Sequence, residues 1–119
     1  MDIAFILVEP RVPDNIGAAA RAIDNMGFSD LRLVRPRNHQ DERAGWVACR
    51  SKNILHNAKI FDSLDEAIAD RDFNIATTAK GRTLSHEFKP STEIADFVLQ
   101  KTNHISKLSV IFGLSLIHI

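Results

Sequence analysis

The chain has 119 residues, of which 45% are hydrophobic and 25% charged, the balance of one small folded domain with a single core rather than of a disordered segment. Fifteen basic side chains offset fifteen acidic ones, so no overall basic excess marks a nucleic-acid binder. Neutrality still leaves room for a local basic face.

In chain order, the run Ile3-Ala4-Phe5-Ile6-Leu7-Val8 is apolar at every position. It is too short, and has the wrong charge before it in Asp2, for a signal peptide or a membrane span. Its lack of alternation predicts a strand buried on both faces, hence a mostly parallel sheet covered by helices. Pro10 and Pro13 then interrupt regular structure. A helix is expected over residues 15–26, capped by Asp14 or Asn15 and ended by Gly27 in a left-handed turn. Ile16, Ala19, Ala20 and Ile23 form its buried stripe.

A second strand is predicted over residues 31–34, a polar loop over 35–43 and an irregular helix over 44–55. Within that helix Trp46 reads as a packed aromatic, with base stacking as the alternative. Cys49 is the one cysteine, so an internal disulfide is excluded. It predicts a reducing cytoplasm and a small buried apolar residue rather than a nucleophile. A third strand follows at Lys59-Ile60-Phe61. Ser63 and Glu66 have capping-box spacing and open a helix through Leu64, Ala67 and Ile68. A fourth strand is expected over 73–77, a polar stretch over 78–90, a helix over 92–101 and a fifth strand over 108–112. The five histidines are widely spaced and none joins a cysteine cluster, so no metal site is predicted. Strands alternating with helices give an α/β domain, a mostly parallel sheet with helices on both faces.

In such sheets ligands bind beyond the carboxyl ends of the strands. The start of the first helix falls there, and Gly17, Ala18 and Arg21 lie near one another at helical spacing. Two small residues beside a forked cation would let an RNA phosphate or ribose approach the backbone. Equally, residues 17–20 would allow tight packing, with Arg21 solvated. Arg32, Arg35, Arg37, Arg43, Arg50 and Lys52 make the surroundings basic, diluted by Asp41 and Glu42, and any of them could meet phosphate or simply be scattered surface charge.

Four ordered blocks, Phe5-Ile6-Leu7-Val8-Glu9-Pro10, Asn15-Ile16-Gly17-Ala18-Ala19-Ala20-Arg21-Ala22, Asn25-Met26-Gly27-Phe28 and Leu31-Arg32-Leu33-Val34, together resemble the SpoU/TrmH family of RNA ribose methyltransferases in the SPOUT superfamily. The resemblance is strongest to its TrmJ and LasT-like branch. Ile75-Ala76-Thr77-Thr78-Ala79-Lys80-Gly81-Arg82 resembles the family segment after the fourth strand, and Val110-Ile111-Phe112-Gly113 the strand that opens its second motif. The resemblance covers residues 1–113. It implies the N-terminal portion of a knotted α/β domain that transfers a methyl group from S-adenosylmethionine to a ribose 2′-hydroxyl, usually as a cytoplasmic homodimer. The implied substrate is transfer RNA, with ribosomal RNA as the alternative.

By the same resemblance Asn15 and Arg21 are catalytic. Arg21 would orient or help deprotonate the 2′-hydroxyl, and Asn15 would hold the pocket. A ribose hydroxyl is a poor nucleophile, so positioning against the sulfonium methyl supplies much of the catalysis. The 2′-hydroxyl is also what separates RNA from DNA. Thr77, Thr78, Ala79 and Gly113 match cofactor-lining positions, although a strand end bonding its own backbone also accounts for Thr77 and Thr78. Arg11, Gly17, Arg21, Lys80 and Arg82 match RNA-facing positions. Lys80 stands where the branch commonly has arginine, which keeps charge and loses the fork.

After Gly113 the resemblance stops: the second and third family motifs do not follow. Leu114-Ser115-Leu116-Ile117-His118-Ile119 back-translates to CTG TCT CTT ATA CAC ATC, a sequencing-adapter end. Residues 114–119 are therefore expected to be a non-native tail, with the knot-forming part missing and this chain alone inactive; the alternative is a natural strand extension through Leu116, Ile117 and Ile119. The competing readings are a non-catalytic RNA- or nucleotide-binding α/β module and a structural fragment without a partner.

Overall fold

The computed structural model describes residues 2–77 and 106–113. The strands β1 (Asp2–Val8), β2 (Asp30–Val34), β3 (Lys59–Phe61), β4 (Phe73–Ala76) and β5 (Lys107–Phe112) form one sheet in the order β3-β2-β1-β5-β4. Every pairing is parallel. The helices are α1 (Pro13–Asn25), α2 (Glu42–Ala48), α3 (Lys52–His56) and α4 (Leu64–Ala67), with a 3₁₀ turn at Cys49–Ser51 between α2 and α3.

Central β1 shows why its sequence does not alternate. Phe5 enters a core with Ile16, Ala20, Ile23, Leu31, Leu33, Ala48 and Ile54 on the side of α1, α2 and α3. Ile6 and Val8 enter a second core with Val34, Ala67 and Ile111 on the side of α4. Successive side chains of a strand point to opposite faces, so a strand with a core on each side is apolar throughout. Helices on both faces of a parallel sheet are thus present, as the sequence predicts.

Helix α1 begins two residues earlier than expected. Pro13 occupies its first turn and Val12 is the N-cap, with no capping side chain. Proline's fixed φ and missing N–H suit that position. Asp14 is instead paired with Arg43, Nε to Oδ1 at 2.9 Å. The other end is a Schellman motif: Phe28 N donates to Ile23 O at 3.0 Å, Gly27 N donates to Asp24 O at 2.9 Å, and Gly27 has φ 85°. Phe28 then packs on Phe5, with ring centroids 5.7 Å apart.

Three further expectations are corrected. Cys49 is exposed, not buried. It sits where α2 breaks, with φ 55°, its Sγ 3.3 Å from Trp46 O. Trp46 is 66% exposed on the outer side of α2 rather than packed. Arg32 is 3% exposed and faces no solvent phosphate. It donates from Nη1 to Asp70 at 2.6 Å and to Ala67 O at 2.7 Å, and from Nε and Nη2 to Asp30.

Arg32 belongs to a network at the amino edge of the sheet. Asp70 also accepts from Arg71, whose guanidinium reaches Asp2 at 3.2 Å. Asp72 accepts from the Ser106 hydroxyl at 2.7 Å and from the Ser106 and Lys107 amides. The Arg32 and then Arg71 hydrogen bonds hold the Asp70 carboxyl far below the usual carboxylate range. Arg71 lowers Asp2, and Ser106 lowers Asp72. This network ties together the beginnings of β1, β2, β4 and β5.

Candidate functional site at the carboxyl edge of the sheet

The opposite edge is built from two matched pentapeptides, Leu7-Val8-Glu9-Pro10-Arg11 and Leu33-Val34-Arg35-Pro36-Arg37. They lie side by side in register, Leu7 beside Leu33 and Val8 beside Val34. Glu9 N donates to Val34 O at 2.7 Å, Arg35 N donates to Phe61 O at 2.9 Å, and Arg37 N donates to Pro10 O at 2.9 Å. Glu9 and Arg35 both adopt left-handed backbone, φ 51° and 45°, although each precedes a proline, which favours extended geometry. Such strain persists where the surroundings over-determine the backbone, and it gathers at functional sites. Across the two loops Arg35 Nε lies 3.5 Å from Glu9 Oε1.

On the other side of β1, Gly113 leaves β5 with φ 86°, and a Cβ there would lie 2.7 Å from Val8 O. Only bare backbone fits between the ends of β1 and β5. Thr77, at the end of β4, donates both its amide (2.9 Å) and its hydroxyl (3.0 Å) to Ile111 O. Its hydroxyl proton therefore serves the sheet, leaving lone pairs to accept. The loop bearing exposed Arg11, Thr77 and Gly113 thus share one edge.

Asn15 is exposed in the first turn of α1, next to that edge. Arg21, also exposed, lies six residues on, about 9 Å further along the axis and about 120° around it. The helix does not set Asn15 and Arg21 side by side. Gly17 is a correction. It is buried, and a Cβ there would strike Ala44 O and lie 3.0 Å from Val47 Cβ. Its bare backbone is covered by α2 and is not open to a phosphate. Thr78, Ala79, Lys80 and Arg82 lie outside the described residues. Among the described residues no group of three or more metal-ligating side chains occurs, and no helix is long and apolar enough to cross a membrane.

The Glu9–Arg35 pair was not foreseen from sequence. The signal was the matched pentapeptides, identical except for opposite charges at their third positions.

An all-parallel sheet with helices on both faces defines an α/β domain of the doubly wound kind, in which ligands characteristically bind beyond the carboxyl ends of the strands. Residues 2–113 match the SpoU rRNA Methylase family, and the chain belongs to that family. It is 42% identical over 113 residues to the uncharacterized tRNA/rRNA methyltransferase LasT of Escherichia coli K12, covering 95% of this chain and 50% of that protein. To the tRNA (cytidine-2′-O-)-methyltransferase TrmJ of Methanocaldococcus jannaschii it is 38% identical over 114 residues, covering 93% of this chain and 48% of that one. The crystal structure of TrmJ from Z. mobilis ZM4 superposes with a TM-score of 0.85 at 31% identity, covering 98% of this chain and 53% of that chain. This chain spans about half the length of the relatives it matches.

Proposed function

We propose that the protein carrying this chain methylates a ribose 2′-hydroxyl of transfer RNA with S-adenosylmethionine, as a cytoplasmic homodimer. The observation that carries the reading is the match to the SpoU family over residues 2–113, together with relatives named as tRNA 2′-O-methyltransferases.

The edge geometry is compatible with the cofactor. Gly113 presents bare backbone where a side chain would collide with Val8 O, and Thr77 retains acceptor lone pairs beside it. These two residues, with Thr78 and Ala79, would hold S-adenosylmethionine, which supplies an electrophilic methyl group. Asn15 fixes the entrance at the start of α1. Arg21, with its guanidinium exposed, orients the 2′-hydroxyl and an adjoining phosphate; arginine as a residue type keeps its charge and its planar fork. Activation of the hydroxyl then consists of holding it in line and stabilising the developing oxyanion.

Replacing Arg21 by alanine in the complete gene product is expected to reduce methyl transfer to tRNA at least about 100-fold, the lower range for loss of a group acting on the transition state. RNA binding should weaken only modestly. Unchanged turnover would overturn the assignment. Absence of any methyl transfer by the wild-type product, with RNA binding retained, would favour the binding-module reading. The 119-residue chain on its own is expected to show no tight S-adenosylmethionine binding by calorimetry.

A further inference from the structure

The chain's zero net charge is unevenly distributed. The amino edge of the sheet gathers Asp2, Asp30, Asp70 and Asp72, and there Arg32 and Arg71 are engaged by carboxylates. Past the carboxyl ends of β1 and β2, loop residues 9–11 and 35–37 together carry one carboxylate, Glu9, and three guanidiniums, Arg11, Arg35 and Arg37. Glu9 engages Arg35, and Arg11 and Arg37 are exposed and have no carboxylate partner among the described residues. These two arginines are the fifth residues of the matched pentapeptides. They leave neighbouring parallel strands, whose axes lie about 4.8 Å apart, at equivalent positions.

We propose that Arg11 and Arg37 form a two-guanidinium clamp for the phosphate backbone of RNA, resting on the methyltransferase reading above for the identity of the polyanion. Each part of the edge serves that purpose. The Leu-Val repeats anchor both loops in the core, since Val8 and Val34 are buried. The left-handed turns at Glu9 and Arg35 peel both chains off the sheet at the same level. The Arg37 amide bond to Pro10 O fastens one loop to the other, so that the two arginines are carried on a single platform. Two prolines, Pro10 and Pro36, stiffen the residues just before the arginines. The Glu9–Arg35 pair removes the mutual repulsion that a third free guanidinium would add between the loops.

Guanidinium forks suit phosphate oxygens, and phosphate contacts by permanent cations appear as a salt dependence of affinity. The platform adjoins Gly113 and the first turn of α1, so RNA held there would enter the proposed reaction site from the β2 side. Arg43 is not part of the clamp, because Asp14 engages it.

The test is binding of the complete gene product to a labelled, unmodified tRNA transcript, followed by fluorescence anisotropy across a salt series. Arg11→Gln and Arg37→Gln should each lower affinity roughly fivefold. Each should also reduce the slope of log affinity against log salt by about 0.7 to 0.9, the contribution of one phosphate contact. Arg37→Lys should keep the slope, and Lys107→Gln at the amino edge should leave both quantities unchanged. A wild-type slope in Arg37→Gln overturns the clamp while leaving the methyltransferase reading intact. Equal losses in Arg37→Lys and Arg37→Gln also overturn it, by pointing to a structural role. Failure of the wild-type protein to bind tRNA removes the reading on which the clamp rests, and the clamp with it.

Discussion

Gly17 and Gly27 stand at the two ends of α1 for different physical reasons, and their alanine variants separate them. At Gly17 an added Cβ meets the backbone oxygen of Ala44 and the Cβ of Val47. Backbone cannot swing aside as a side chain can, so α2 must shift; Gly17→Ala is expected to cost about 3 kcal/mol. At Gly27 nothing lies within 4 Å of the added atom, but φ is 85°. Gly27→Ala should therefore cost only about 1 kcal/mol, from backbone strain. Urea unfolding of both variants measures the difference.

Asp70 gives a residue-scale prediction for pH. Its folded carboxyl lies below the ordinary value of 3.8, chiefly through the hydrogen bond from Arg32 and then that from Arg71. A depressed carboxyl stabilises the fold above the unfolded value, and that contribution is lost as pH falls toward the folded value. Thermal stability should thus hold from pH 7 to about 5 and fall progressively below about 4. Asp70→Asn should lower stability at neutral pH by about 1 kcal/mol, because Arg32 loses one charged acceptor while Asp30 and Ala67 O remain, and solvent screens half-exposed Asp70. It should also flatten the acid limb of a Tm-against-pH curve. A variant curve parallel to the wild type would show that the amino-edge network does not act this way.

Among the elements, strands were more legible in the sequence than helix ends. The unbroken apolar run in β1 signalled cores on both faces, because no half-exposed strand keeps such a pattern. The Ser63 cap was legible too, since it depends on local spacing; Glu66 N donates to Ser63 Oγ at 3.2 Å. The start of α1 was misplaced because Asp14, a natural cap, is drawn away to Arg43, a partner 29 residues distant in sequence. Cys49 and Trp46 were misread, and the two readings of Gly17 were left open, for a related reason: their exposure depends on how α2 crosses α1, which no local pattern encodes. The differing support of the elements has a dynamic consequence. Amides of β1, paired with β2 and β5, should exchange slowest, and those of four-residue α4 among the fastest. Hydrogen exchange followed by NMR checks this ranking, since exposed, short elements open locally at low cost.

At the scale of the whole molecule, the sheet separates two tasks. Its amino edge is a hydrogen-bonded and ionic brace, and its carboxyl edge combines strained turns, a bare glycine and two arginines without a carboxylate partner among the described residues. The site was legible only in part. The family blocks pointed to Asn15, Arg21, Thr77 and Gly113, and Arg37 stood in the sequence only as one of six scattered cations. The Glu9–Arg35 pair and the placing of Arg37 beside Pro10 depend on two separated pentapeptides lying in register. Overall neutrality concealed the local excess of arginine in these two loops, because composition sums charges over the whole chain. The proposed activity is tested most directly by the chemical position of the transferred methyl group. The complete gene product would be incubated with methyl-labelled S-adenosylmethionine and tRNA, and the RNA then hydrolysed in alkali. Label in alkali-resistant dinucleotides is the expected result, because a methylated 2′-oxygen cannot attack the neighbouring phosphate. Label released only as mononucleotides would place the methyl group on a base and contradict the account.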